Sequence, residues 1–210
     1  MTRTPPGYTL QLMTSYHHGD LRAELMKQAL KILDKKGIEG LTLREVARAA
    51  KVSHTAPYRH FKDKEDILAA IAEVGFTDLA ARGRRALEVA DPLSGYLEYG
   101  REYIAFAAEH PQYFRIMFSG KFKDPASCPG LKREGDAAFG ALVAAIERCQ
   151  AAGVVRAGSS MELALAAWSY VHGIANLYID GRFQQEGKLY PTVTEMWTLL
   201  GKSLIQGLGA

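Results

Sequence analysis

Between Leu41 and Phe61 the chain carries two short stretches of helical pattern, LTLREVARAA and HTAPYRHF, separated by only Lys51, Val52 and Ser53. Leu43, Val46, Ala47 and Ala50 recur at helical spacing and give the first stretch one apolar side, with Thr42 placed to cap it. Pro57 has no amide hydrogen and suits only a first helical turn, so the second helix is short and starts near Ser53 or Thr55. Two short helices and a three-residue turn make a helix-turn-helix, which sets the geometry of this part of the chain.

The same periodicity runs on both sides of the motif. Leu21, Leu25, Met26, Ala29, Leu30 and Leu33 make an amphipathic helix that Asp20 is placed to cap and Gly37 to stop. Asp63 caps a long helix through Ile67, Leu68 and Ile71 toward Leu87. Beyond Asp91, prolines 92, 111, 125, 129 and 191 punctuate further helices. PLSGYLEYGREYIAFAAEH sets Tyr96, Tyr99, Tyr103 and Phe106 on one stripe, and PQYFRIMF is a short amphipathic piece. LKREGDAAFGALVAAIERCQAAG is a long helix ending at Gly153, and MELALAAWSYVHGIANLYIDG is apolar nearly all round, as for a helix buried on two sides. PTVTEMWTLLGKSLIQGL carries Val193, Met196, Trp197, Leu200, Leu204 and Leu208 on one face. No strand alternation and no internal repeat is present, so the fold class is all-α. The first dozen residues, MTRTPPGYTLQL, have no helical period and read as a flexible arm over 1–15; Met13 offers a second translation start.

With 210 residues and 48% apolar content, the chain can bury a proper core in one or two domains. No apolar run approaches the roughly 20 residues that a membrane span needs. Cys128 and Cys149 follow no secretory leader, so a reduced, cytoplasmic setting is expected over a disulfide-stapled one. Residues 1–66 hold twelve Lys/Arg against eight Asp/Glu, and residues 42–64 hold six against two. That local excess suits a polyanionic partner, although charge alone is also met by a solvated helix face.

Residue types sharpen the choice. The second helix of such a motif enters the major groove, which demands hydrogen-bonding, cationic and small side chains. His54, Thr55 and Ala56 lead it toward base edges; Tyr58, Arg59 and His60 bring donors for phosphates or bases. Lys64, at the head of the next helix, suits a flanking phosphate, and Thr42 and Arg44, opening the first helix of the motif, suit a flanking phosphate or a base at the edge of the groove.

The run GLTLREVARAAKVSHTAPYRHFKDKEDILAAI, preceded by the helix that begins YHHGDLR, resembles the DNA-binding domain of TetR/AcrR family transcriptional repressors over residues 16–72 without a gap. AWSYVHGIANLYIDGRF, with Trp168, His172 and Gly173, resembles the Trp-His-Gly signature of a regulatory half in that family, with HPQYFRIMF as a supporting segment. The resemblance implies an all-helical homodimer: a DNA-binding domain over 16–63, then a linking helix and a ligand-binding and dimerisation domain over 64–210. It implies a repressor that binds a palindromic operator in double-stranded DNA and is released by a small, largely apolar effector. One position departs from the pattern, since Lys51 stands where the family usually has glycine. A left-handed backbone there costs roughly 1–2 kcal/mol, which a phosphate contact by its ammonium would offset.

Tyr99, Tyr103, Phe106, Phe114, Met117, Phe118, Phe139 and Trp168 read either as ordinary core or as the lining of an effector pocket. His172 and Asn176, one turn apart, read either as satisfied buried residues or as orienting groups for the effector's polar atoms. Ala167 and Ala175 on one helix, with Trp197, Leu200 and Leu204 on the next, are the candidate dimer contacts. No Cys/His pair has zinc spacing, and no nucleophile elbow, phosphate loop or H-E-x-x-H is present, so neither metal, cofactor nor catalysis is expected. Two rivals stand beside the repressor: a small-molecule carrier with a vestigial motif, and a non-specific DNA-coating protein.

Overall fold

A computed structural model describes residues 21–122, 128–185, 188–189, 192–198 and 201. The 1–15 arm, His17, His18, Asp20, Leu200 and Leu204 lie outside the described residues. In chain order come α1 (Leu21–Lys36), α2 (Leu43–Ala49), a 3-10 helix (Ala56–Arg59), α3 (Lys64–Leu87), α4 (Pro92–Glu109), α5 (Pro111–Met117), α6 (Pro129–Ala151) and α7 (Ser160–Ile179); residues 193–198 are helical again. The fold class is all-α. Among the described residues the strand pairing is a two-residue antiparallel bridge, β1 (Gln184–Gln185) with β2 (Lys188–Leu189), too short to leave an alternating signature.

The helices begin and end on local chemistry. Thr42 Oγ1 accepts from the Glu45 amide at 3.1 Å, Asp63 Oδ1 from the Asp66 amide at 2.9 Å and Asp91 Oδ2 from the Ser94 amide at 2.8 Å, each capping a helix start. Helices α6 and α7 end on left-handed Gly153 and Gly181, with the following amide donating five residues back, Val154 to Cys149 and Arg182 to Leu177. Helix α2 ends in the same hydrogen-bond pattern, Val52 donating to Ala47 at 3.0 Å and Lys51 to Arg48 at 3.2 Å, but its left-handed residue is Lys51, φ +58°.

The chain forms two compact units. The first comprises residues up to Phe76 together with Gln112–Arg133. Its core is Leu25, Met26, Ala29 and Leu30 of α1, Leu43, Val46 and Ala47 of α2, and Phe61, Ile67 and Ile71, all buried. At roughly 1.5–3 kcal/mol for each fully buried large apolar side chain, that set is what holds the short helices in place. Pro57 is buried at the start of the 3-10 helix, where its missing amide costs nothing.

The second unit comprises Thr77–Pro111 and residues from Glu134 onward. Its core joins Leu79 and Ala80 of α3, Tyr96, Tyr99, Tyr103 and Phe106 of α4, Ile146 and Cys149 of α6, and Leu163, Ala164, Ala167 and Ile174 of α7. Arg148 donates to the Leu87 and Val89 carbonyls at 2.6 and 2.8 Å, satisfying acceptors that the end of α3 leaves open. Gly100 on α4 lies directly under the Trp197 indole, which occupies the space a methyl group would need. Within one subunit α7 buries one side, and its other side leaves Met161, Leu165 and Leu177 50%, 46% and 48% exposed, in line with exposed Ala166, Ser169 and Gly173.

Candidate functional site

The first unit presents its polar side chains outward around the helix-turn-helix. Thr42, Arg44, His54, Thr55, Tyr58 and Arg59 are exposed, while Ala56, His60 and Lys64 are half-buried. The recognition element is shorter than the sequence pattern suggests, a single 3-10 turn over Ala56–Arg59 with Thr55 as its cap residue. It is held from behind by the Phe61 and Pro57 side chains, and the Arg22 guanidinium lies 5.2 Å over the Phe61 ring. At its start Ser53 Oγ and Thr55 Oγ1 are 3.1 Å apart and share a hydroxyl hydrogen. His54 and Thr55 thus stand on the turn ahead of the element, free of the core.

Charge around this face is arranged by two glutamates. Glu45 takes Lys36 at 2.6 Å and Arg48 at 3.2 Å, and the Lys36 hydrogen bond holds its carboxyl below the usual range. Glu39 takes Lys121 at 3.1 Å and stands 4.0 Å from Lys64, its carboxyl held low chiefly by the Lys121 hydrogen bond. Arg44, Arg59 and Lys51 add cationic side chains on the exposed surface. Sequence reasoning did not single out Glu39 or Lys121. Eighty-two positions separate them, and no local pattern signals such a pairing.

The ten aromatic, apolar and polar residues singled out for a pocket divide between the units. Phe114, Met117 and Phe118 belong to the first, where Phe118 packs on Phe114 and Phe76 with ring centroids 5.0 and 5.5 Å apart. The other seven belong to the second. There the Tyr103 hydroxyl is a hub, accepting from Trp168 Nε1 at 3.1 Å and standing 2.8 Å from His172 Nδ1. Trp168 meets Phe139 edge-on at 6.1 Å and His172 at 5.5 Å. Burial pushes the His172 imidazole below its ordinary pKa and the Tyr103 phenol well above its own. Tyr99 donates to the Ala138 carbonyl at 2.8 Å, and Asn176 donates back to the His172 carbonyl at 2.9 Å, which ties that amide to its own helix. Phe106 is fully buried with the Arg82 guanidinium 5.5 Å over its ring.

Of the candidate dimer contacts, Ala167 and Ala175 are 1% and 0% exposed, their methyl groups packed inside their own subunit, and Trp197 is buried on Gly100. The exposed side of α7 carries Met161, Leu165 and Leu177. Among the described residues no three His, Cys, Asp or Glu side chains come together as metal ligands. None of the described helices is long and apolar enough to cross a membrane.

Two family models match the chain: bacterial regulatory proteins of the tetR family over residues 25–71, and the tetracyclin repressor-like C-terminal domain over 96–200. The HTH-type transcriptional regulator AcrR of Shigella flexneri is 34% identical over 80 residues, 36% of either chain, so the chain matches about a third of that relative's length. A protein of unknown function from Rhodococcus sp. RHA1 is 34% identical, with a TM-score of 0.77 over 93% of this chain and 98% of its own. PfmR, a TetR family transcriptional regulator from Thermus thermophilus, is 26% identical with a TM-score of 0.71, over 89% of this chain and 99% of its own.

Proposed function

The chain belongs to the TetR family of bacterial transcriptional regulators, and from that premise we propose that it is a cytoplasmic homodimeric repressor that binds a palindromic operator and leaves it when a small, largely apolar effector enters the C-terminal domain. The observation that carries the reading is the exposed helix-turn-helix, with His54, Thr55, Tyr58 and Arg59 outward and Pro57 and Phe61 inward. Residues 16–63 serve DNA recognition and 64–210 serve effector binding and dimerisation. In this reading Thr55 and Arg44, with His54 and Ala56, read base edges, whereas Tyr58, Lys64, Thr42, Arg59 and His60 hold the phosphate backbone.

Two copies are required because one short recognition element makes too few base contacts, and a dimer reads two half-sites at a fixed spacing. The apolar side of α7, with Met161, Leu165 and Leu177, supplies the surface for the second copy. In the C-terminal unit the half-buried Phe139, Trp168 and His172 around the Tyr103 hydroxyl suit an apolar ligand body with one polar group. The effector acts only through its differential affinity for two conformations, typically a coupling of about 1–3 kcal/mol.

Selection of genomic fragments by the purified protein at moderate salt, followed by sequencing, tests the reading. A shared palindrome is expected. Retention without a common motif would instead make the protein a non-specific DNA binder, and no salt-dependent retention would make it a carrier with a vestigial motif. In the same format Lys64→Ala is expected to weaken all sequences and lower the salt slope, and Thr55→Ala to change sequence preference.

A further inference from the structure

Three charged side chains of the first unit share one point. Glu39, between α1 and α2, offers Oε1 to Lys121 Nζ at 3.1 Å, and its Oε2 lies 4.0 Å from Lys64 Nζ. Lys121 follows α5, and at the start of α5 Gln112 Nε2 donates to Asp34 of α1 at 2.6 Å. The 112–121 segment is therefore tied by two polar contacts to the end of α1 and the turn after it. The Glu39 side chain is 82% exposed, so water can satisfy it and packing does not require either lysine. A carboxylate this close to a phosphate-binding ammonium opposes binding twice, by engaging the cation and by repelling the phosphate. Lys121 is the nearer cation and the chief cause that holds the Glu39 carboxyl below its usual range.

We propose that Glu39 is a positioning residue that restrains Lys64 at the DNA phosphate, and that Lys121 relieves part of the restraint by sharing the Glu39 carboxylate. The proposal rests on Lys64 being a phosphate contact. The chain enters this segment from α4 through Pro111. A change that takes Lys121 off Glu39 leaves the carboxylate to Lys64 and loosens the grip on DNA. Regulation then runs through an exchange of ion partners on the surface of the DNA-binding unit.

The test is fluorescence anisotropy of the full chain on a short random-sequence duplex across a range of salt, because phosphate contacts act on any sequence. Glu39→Gln is expected to bind tighter, by up to about five-fold, the worth of one full charge at this distance in water. Lys121→Gln is expected to bind several-fold weaker and Lys121→Arg close to the parent. In the Glu39→Gln background, Lys121→Gln should have no further effect. An equal loss from Lys121→Gln in both backgrounds makes Lys121 a phosphate contact itself and overturns the proposal, as does unchanged affinity of Glu39→Gln. Lys64→Ala separates the two layers. If it leaves affinity and salt slope unchanged, the reading of the interface fails and takes the proposal with it; if it weakens binding while the other pair is additive, the proposal alone fails.

Discussion

Lys51 adopts a left-handed φ that glycines adopt elsewhere in the same chain, among them the two that end α6 and α7. Its φ of +58°, beside +72° at Gly153 and +69° at Gly181, places a side chain where the backbone and Cβ crowd, at a cost of roughly 1–2 kcal/mol. Lys51→Gly removes that strain but gives the unfolded chain more freedom, so a net gain of about 0.5–1 kcal/mol is expected in urea unfolding. If the ammonium meets a phosphate, the same variant loses about one unit of salt slope on DNA, and Lys51→Gln loses it without gaining stability. An unchanged slope in both leaves Lys51 with strain and no DNA role. Buried His110 and half-buried His172 set a second residue-scale expectation. Burial lowers the pKa of His110, with the Arg82 charge adding to it, and burial lowers that of His172. The unfolded chain, with histidines near 6.5, then takes up protons before the folded one. Their contribution to stability is complete above about pH 6.5 and is lost as pH falls through that value toward the folded pKa values. Melting temperatures measured from about pH 8 to about pH 5 should fall on the acid side, and His110→Gln should flatten the fall; a curve identical to the parent's removes His110 from this account.

Helix α4 and the helical segment at 193–198 meet with no room to spare at Gly100. A methyl group there overlaps the Trp197 indole, so Gly100→Ala forces the ring aside and is expected to destabilise by about 1–3 kcal/mol despite improving helix propensity. A red-shifted tryptophan emission together with a lower unfolding midpoint is the expected result, and a stabilised variant with unchanged emission contradicts the packing. This contact also marks where sequence reading stops. The caps at Thr42 and Asp63 and the stops at Gly37 and Gly153 were legible because their chemistry is local, a side-chain oxygen or a left-handed glycine next to a periodic run. The apolar spacing of α1 through α7 was legible for the same reason. Gly100 under Trp197 and Glu39 beside Lys121 were not, because each depends on which distant element the fold brings alongside. The aromatic stripe shows the same limit: its periodicity announced buried faces, but not that Phe114, Met117 and Phe118 pack in a different unit from Tyr99, Tyr103 and Trp168. The 3-10 turn at Ala56–Arg59 was expected as a helix running to Phe61, since Pro57 fixes a start but gives no sign of where so short an element ends.

For the whole molecule, what matters is whether the exposed face of α7 closes on a copy of itself. Met161, Leu165 and Leu177 line one side of a 20-residue helix, with Ala166, Ser169 and Gly173 between them small enough for a second helix to approach closely. The opposite side, through Leu163, Ala164, Ala167, Val171, Ile174 and Ala175, is already committed to the subunit's own core, so the two functions of the helix are separable by substitution. Leu165→Glu and Leu177→Glu together place like charges on the exposed side alone. The double variant is expected to keep its helical circular dichroism and to sediment as a monomer. On a palindromic duplex it loses the gain from two linked half-sites, expected to be about a hundred-fold in affinity, whereas on a single half-site it should match the parent. A variant that still sediments as a dimer moves the interface off this face, and a monomer that binds the palindrome undiminished removes the need for two copies.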